Sequence, residues 1–289
     1  MEGLRQDDPP RIGEFVTLAR LDPAARQDVP ERRYLARSAD GARTVLIGLP
    51  LPDADPGRWA AEAQWAGKLA QPGLWPVART GGSAAFPWYA SPYRPVLPLP
   101  EALDACGGPL PEEAVRSLGA ALAETLASAH VLGVVHGGLS PASVLLTAYG
   151  PLLSCFGAVR AAAPEGAPRA GLPGIDAGTL APELAAGGPL QAPADVYALG
   201  AVLAYAATGH TVPERAELPA GLRAPVTACL SRDPAARPGP AQVLAQLAPG
   251  AAWGTQGAGA EPAPLPGRVV AALSLQAAAV LAAELPEVR

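Results

Sequence analysis

The chain changes character across the Pro-rich stretch Pro92 to Pro100, and that change limits the folds open to it. Before it, short runs of β-branched and aromatic residues are punctuated by turn signals. Phe15 to Leu21, Arg33 to Arg37, and Thr44 to Ile47 behind the Asp40-Gly41 turn predict an antiparallel meander, and Phe86 to Ala90 a further strand. Arg58 to Leu69 meets no breaker until Gln71-Pro72-Gly73 and reads as one helix of about three turns. After Pro100 the pattern is helical. Pro111 opens a helix with Glu112 and Glu113 in its first turn and Val115, Leu118, Leu122 and Leu126 on one face, stopped by Gly133. Ser143 to Thr147 and Pro151 to Phe156 read as a small hairpin about Tyr149-Gly150. Asp195 leads into Val196 to Thr208, so apolar all round that it must be buried all round. Helical stretches around Leu222 to Leu230 and Pro240 to Leu247 complete the compact part.

These shifts divide the chain into a polar leader (1–11), a β-rich small lobe (12–94), a mainly helical large lobe (95–248), a Gly/Ala/Pro linker (249–267) and a detached C-terminal helix (268–289). That helix carries Val269, Val270, Leu273, Leu281 and Leu285, and is expected either to fold back on the large lobe or to dock a partner. With 49% apolar and 16% charged residues the chain is expected to be globular rather than disordered. A net charge of −5 and scattered arginines argue against nucleic acid and anionic membrane as partners. The longest apolar stretch, Val269 to Ala283, falls short of the roughly 20 residues that span a bilayer. No signal-peptide pattern opens the chain, and Cys106, Cys155 and Cys229 have no metal-ligand spacing and leave an odd thiol, which suits a cytoplasmic protein.

Five motifs in order carry a resemblance. His136-Gly-Gly-Leu-Ser-Pro-Ala-Ser-Val-Leu-Leu146 resembles the protein-kinase catalytic loop, Cys155-Phe-Gly157 the metal-binding DFG, and Ala181-Pro-Glu183 the APE motif. Asp195-Val-Tyr-Ala-Leu-Gly200 resembles the start of the buried central helix, and Cys229 to Pro238 the closing motif with its arginine. Over residues 12 to 248 the chain is similar to actinobacterial serine/threonine kinases of the Hanks type. The resemblance implies an α+β, bilobal protein-kinase-like fold, with a small antiparallel β lobe bearing one helix and a larger helical lobe.

Kinase chemistry rests on positioned charge: a lysine on the phosphates, acids and an asparagine on magnesium, and an aspartate on the substrate hydroxyl. The family positions for these groups here hold Gly48, Gly138, Ser143 and Cys155, with Ser140 at the catalytic-loop lysine position. The chain has one lysine, Lys68, and no asparagine, and no aspartate stands between Asp104 and Asp176. No glycine stands between Gly13 and Gly41, where the phosphate loop belongs. Leu46, at the family's small adenine-contacting position, is expected to fill the purine pocket. The expectation is therefore a pseudokinase: no enzyme, no cofactor and no metal, acting as a scaffold or allosteric regulator of a protein partner such as an active kinase or a module fused in longer relatives. An atypical ATP-dependent serine/threonine kinase with residual nucleotide binding is the alternative, and a Cys155/His136 nucleophile the remaining one.

The retained positions are structural in the family: His136, Phe156 and Gly157 in the core, the Glu183–Arg237 ion pair, and Asp195 bonding the catalytic-loop backbone. Glu62, at the helix glutamate position, reads either as a pairing residue or as a solvated surface acid. Trp65 and Trp75 are candidates for an exposed binding surface.

Overall fold

The computed structural model describes residues 1–26, 28–69, 71–247 and 265–284. The small lobe is an antiparallel sheet of order β1-β2-β3-β4-β6-β5, built from Arg11–Ile12, Phe15–Arg20, Glu31–Ser38, Thr44–Pro50, Pro87–Pro92 (β6) and Arg79–Gly82 (β5). β3 and β4 pair without interruption from Glu31↔Pro50 to Arg37↔Thr44, which sets Gly48 between Arg33 and Tyr89 of its two neighbours. Helix α1, Pro56–Ala66, starts where the Asp55 carboxylate accepts from the Arg58 amide at 2.9 Å, with Pro56 supplying a helical φ. It ends three residues before the expected Leu69. Its Trp59 and Ala63 face the sheet, and the Trp59 ring stacks on Tyr89 at 5.6 Å.

Residues 1–11 are part of the sheet rather than a loose leader. Asp8 is buried and accepts from Arg20 Nε at 2.7 Å and from the Tyr34 hydroxyl at 2.7 Å, while the Glu2 and Arg20 backbones bridge. A carboxylate with two such donors gives the segment a reason to stay.

The stretch around Pro92 to Pro100 does more than link. Leu97–Pro98 (β7) pairs with Val144–Thr147 (β8), which pairs with Gly150–Leu153 (β9), and helix α2, Leu99–Cys106, begins at once because proline is tolerated in a first helical turn. In the large lobe, α3 (Glu112–Val131) and α6 (Ala192–Thr208) lie side by side, closed by α7 (Ala220–Cys229) and α8 (Pro240–Leu247). Gly119 is what lets them approach: a Cβ there would lie 2.6 Å from Leu247 and 2.8 Å from Leu203. Short helices α4 (Ala158–Ala162) and α5 (Pro182–Ala185) bracket the activation-segment region.

The C-terminal helix, α9 (Gly267–Ala282), is not detached. It buries Val269, Leu273, Gln276 and Val280 against the body, because those positions form one helical stripe. Most of the expected linker and Leu285 lie outside the described residues. Among the described residues no helix is long and apolar enough to cross a membrane.

Candidate functional site

The site lies where the two sheets face each other, at the junction of β3, β4, the turn 141–143 and the segment 154–157. Each position expected to have lost a catalytic group has a physical occupant. A Cβ on Gly48 would fall 2.3 Å from the Tyr89 ring, so that ring stands where a side chain from position 48 would pass. At Gly138 a Cβ would fall 1.9 Å from the Cys155 carbonyl oxygen, an approach that admits no side chain. Ser140 and Ser143 are spent on each other: the Ser140 amide donates to Ser143 Oγ at 2.8 Å, and that hydroxyl donates to the Ser140 carbonyl at 2.9 Å. Leu46 is fully buried in one apolar cluster with Leu21, Leu35, Val96, Leu145 and Leu152.

Cys155 holds φ +59°, the one positive value outside glycine among the described residues. Its thiol lies 3.5 Å from Ser154 Oγ and 3.5 Å from Glu31 Oε1, and burial pushes its pKa well up. His136 is equally buried, edge-on to Phe156 at 5.7 Å, and among the described residues neither ring nitrogen has a hydrogen-bond partner. Burial holds it neutral, with its pKa near 4. An inert thiol and an imidazole bonded to nothing do not make a nucleophile and its base.

The sequence offers Arg32 or Arg33 as a cation able to touch a phosphate, but it does not place the acids around Arg33 at the centre. Arg33, from β3, is fully buried and donates from Nε to Asp22 at 2.7 Å, from Nη2 to Asp22 at 2.5 Å, from Nη1 to Ser154 Oγ at 3.0 Å and from Nη2 to the Ala142 carbonyl at 2.9 Å. Burial opposes its charge, but the Asp22 carboxylate overrides that and holds the pKa up. Glu31 accepts from the Tyr89 hydroxyl at 2.5 Å; burial raises its pKa against the pull of Arg33. The available signal was the Glu31-Arg32-Arg33 run opening a strand opposite Asp22, in place of the glycines of a phosphate loop.

The remaining residues tie the frame together. Glu62 is a paired, half-buried acid: it accepts from Arg160 Nε at 2.9 Å and Nη2 at 2.8 Å, and Arg160 lies over the Phe156 ring at 5.0 Å. Gly157 is required beside it, with φ +72° and a Cβ position 2.1 Å from Glu62 Oε2. Arg237 donates to Glu183 at 2.6 and 2.8 Å and lies over Tyr197. Asp195 accepts from the backbone amides of His136 and Gly137 at 2.7 and 2.8 Å. Trp65 is exposed, whereas Trp75 is buried because it packs with Tyr89 and Leu152 beneath the sheet.

No protein-family model matches the chain. It is 34% identical over 274 residues to the serine/threonine-protein kinase AfsK of Streptomyces coelicolor, and 34% identical over 272 residues to the probable serine/threonine-protein kinase PkwA of Thermomonospora curvata. Each alignment takes in 86% of this chain and spans about a third of the relative, 33% and 35%. The kinase domain of Mycobacterium tuberculosis PknI superposes with a TM-score of 0.60 at 23% identity, over 82% of this chain and 97% of that domain. The chain has a bilobal protein-kinase-like fold and is similar over most of its length to serine/threonine kinases.

These relatives correct one expectation. Proteins similar over most of the kinase-like domain carry the name of serine/threonine kinases, and its fold is that of a kinase domain, which points to an enzyme and not to a chain without activity.

Proposed function

We propose that the kinase-like domain is an atypical ATP-dependent serine/threonine protein kinase region of a larger protein, retaining nucleotide binding at a rebuilt site. The names of its relatives and the kinase fold support the reaction class. The observation that carries the site is the Arg33–Asp22–Glu31 cluster between the lobes. Buried charges of this kind cost stability unless paired, and a strongly perturbed group in a cleft is where function concentrates. In this reading Arg33 is the cation at the phosphate end of the cleft, in place of the lysine that Gly48 cannot supply.

A magnesium–nucleotide complex does not fit the arrangement as it stands. Among the described residues no three histidine, cysteine or acidic side chains gather to hold a metal, and the cavity beside Glu31, Tyr89 and Cys155 has a volume of only about 30 Å³. That is room for one water. Arg33 must first exchange Asp22 for another anion, and no chemical step is derived beyond that exchange.

The test is a melting scan and a labelled-phosphate transfer assay on the full chain, with ATP and either magnesium or manganese, for wild type and Asp22→Ala. Nucleotide at 100 times its Kd adds about 2.7 kcal/mol, a rise of several degrees. A rise in wild type that is larger in Asp22→Ala, with label on serine or threonine, is the expected result. No rise and no label in either protein overturns the reading.

A further inference from the structure

Helix α9 touches both lobes and the segment between them. Near its start, Arg268 Nη1 donates to the Cys106 carbonyl of α2 at 3.1 Å, and Val269 and Leu273 complete the apolar core of the large lobe. At its middle, buried Gln276 Oε1 accepts from the Val96 amide at 2.9 Å and from the Tyr93 hydroxyl at 3.3 Å, both in the connection between the lobes. Val280, one turn on, joins the cluster of Leu21, Leu46, Val96 and Leu145 that fills the cleft. At its end, Arg37 of β3 donates to the Val280 carbonyl and, at 2.6 Å, to the Ala283 carbonyl. These are the acceptors that a helix C-terminus leaves without partners, where a cation is most favourable.

We propose that α9 is a strap across the lobe junction that keeps the nucleotide cleft shut. The large lobe holds its first two turns and the small lobe holds its last, so the lobes cannot separate without breaking either the Arg37 cap or the Gln276 bonds. The strap regulates the site proposed above and rests on that reading for its consequence. A site that is competent only when open binds its ligand more weakly by the fraction of time it is open.

The test uses the full chain with Arg37→Ala, Gln276→Ala and Val280→Asp, read by hydrogen exchange and by titration with a fluorescent ATP analogue. The expected result is faster exchange in residues 92–98 and in β3 as well as in α9, unchanged exchange in α6, and an affinity for the analogue higher by about tenfold. Faster exchange confined to α9 overturns the strap, because the helix would then ride on the body without bracing it. Loosened lobes with no analogue binding in any variant keep the brace and overturn the nucleotide reading instead. The two failures are separate.

Discussion

At the scale of single residues, the site is governed by space. Gly138→Asp places a Cβ 1.9 Å from a backbone carbonyl, so it destabilises the protein, by about 3 kcal/mol or more, and does not raise phosphate transfer above wild type; chemical denaturation and a phosphate-transfer assay check both. His136 illustrates what burial does to charge. Its folded pKa of about 4 lies below the 6.5 of an exposed histidine, so between those values the unfolded chain binds the extra proton. Stability contributed by the neutral ring is present above pH 6.5 and is lost as the pH falls toward 4, by roughly 3 kcal/mol. His136→Phe keeps the edge-on contact with Phe156, and the difference between its stability–pH curve and that of wild type isolates this slope. Parallel curves would show that the ring protonates without unfolding. The identity of both residues was legible as motif positions in the sequence. Their constraints were not, since a 1.9 Å approach between residues 138 and 155 and an imidazole without partners arise only when distant segments meet.

Among the arginine–carboxylate pairs that tie elements together, two differ in worth. Arg237 is fully buried where it meets the partly exposed Glu183 and also bonds the carbonyls of Ser231 and Pro193, so Arg237→Ala leaves that carboxylate and two carbonyls without their buried donor, at roughly 3 kcal/mol. The Glu62–Arg160 pair, which ties α1 to the start of α4, is partly solvated at both ends, and Glu62→Ala costs about 1 kcal/mol. Urea midpoints distinguish them, and equal losses would mean that the Glu183 pair is screened as effectively as the surface one. Nothing local announced the second pair: Arg160 lies 98 residues from Glu62, and a lone acid on a helix reads equally well as solvated.

Across the whole molecule, the small and large lobes meet through Arg33, which belongs to one sheet and bonds Ser154 and Ala142 of the other side. Asp22→Ala leaves that guanidinium buried without its anion and costs roughly 3–5 kcal/mol. Asp22→Leu combined with Arg33→Met removes both charges and lies closer to wild type than either single change. A double-mutant cycle from denaturation curves checks this; simple additivity would show that the pair is not coupled, and Arg33 would lose its place as the bridge between lobes.

The sequence by itself determined the order of lobes and the framework of motifs, because helix and strand periods and motif spacings are written over a few residues, and it showed a single lysine and no asparagine. It could not determine what surrounds the motif positions. Tyr89 over Gly48, Arg33 between Asp22 and Ala142, and α9 across Val96 and Arg37 join positions up to 246 residues apart. Such pairings follow from the packing of whole lobes, where a buried charge must find whichever partner the fold brings to it, and only the tertiary structure decides which one that is.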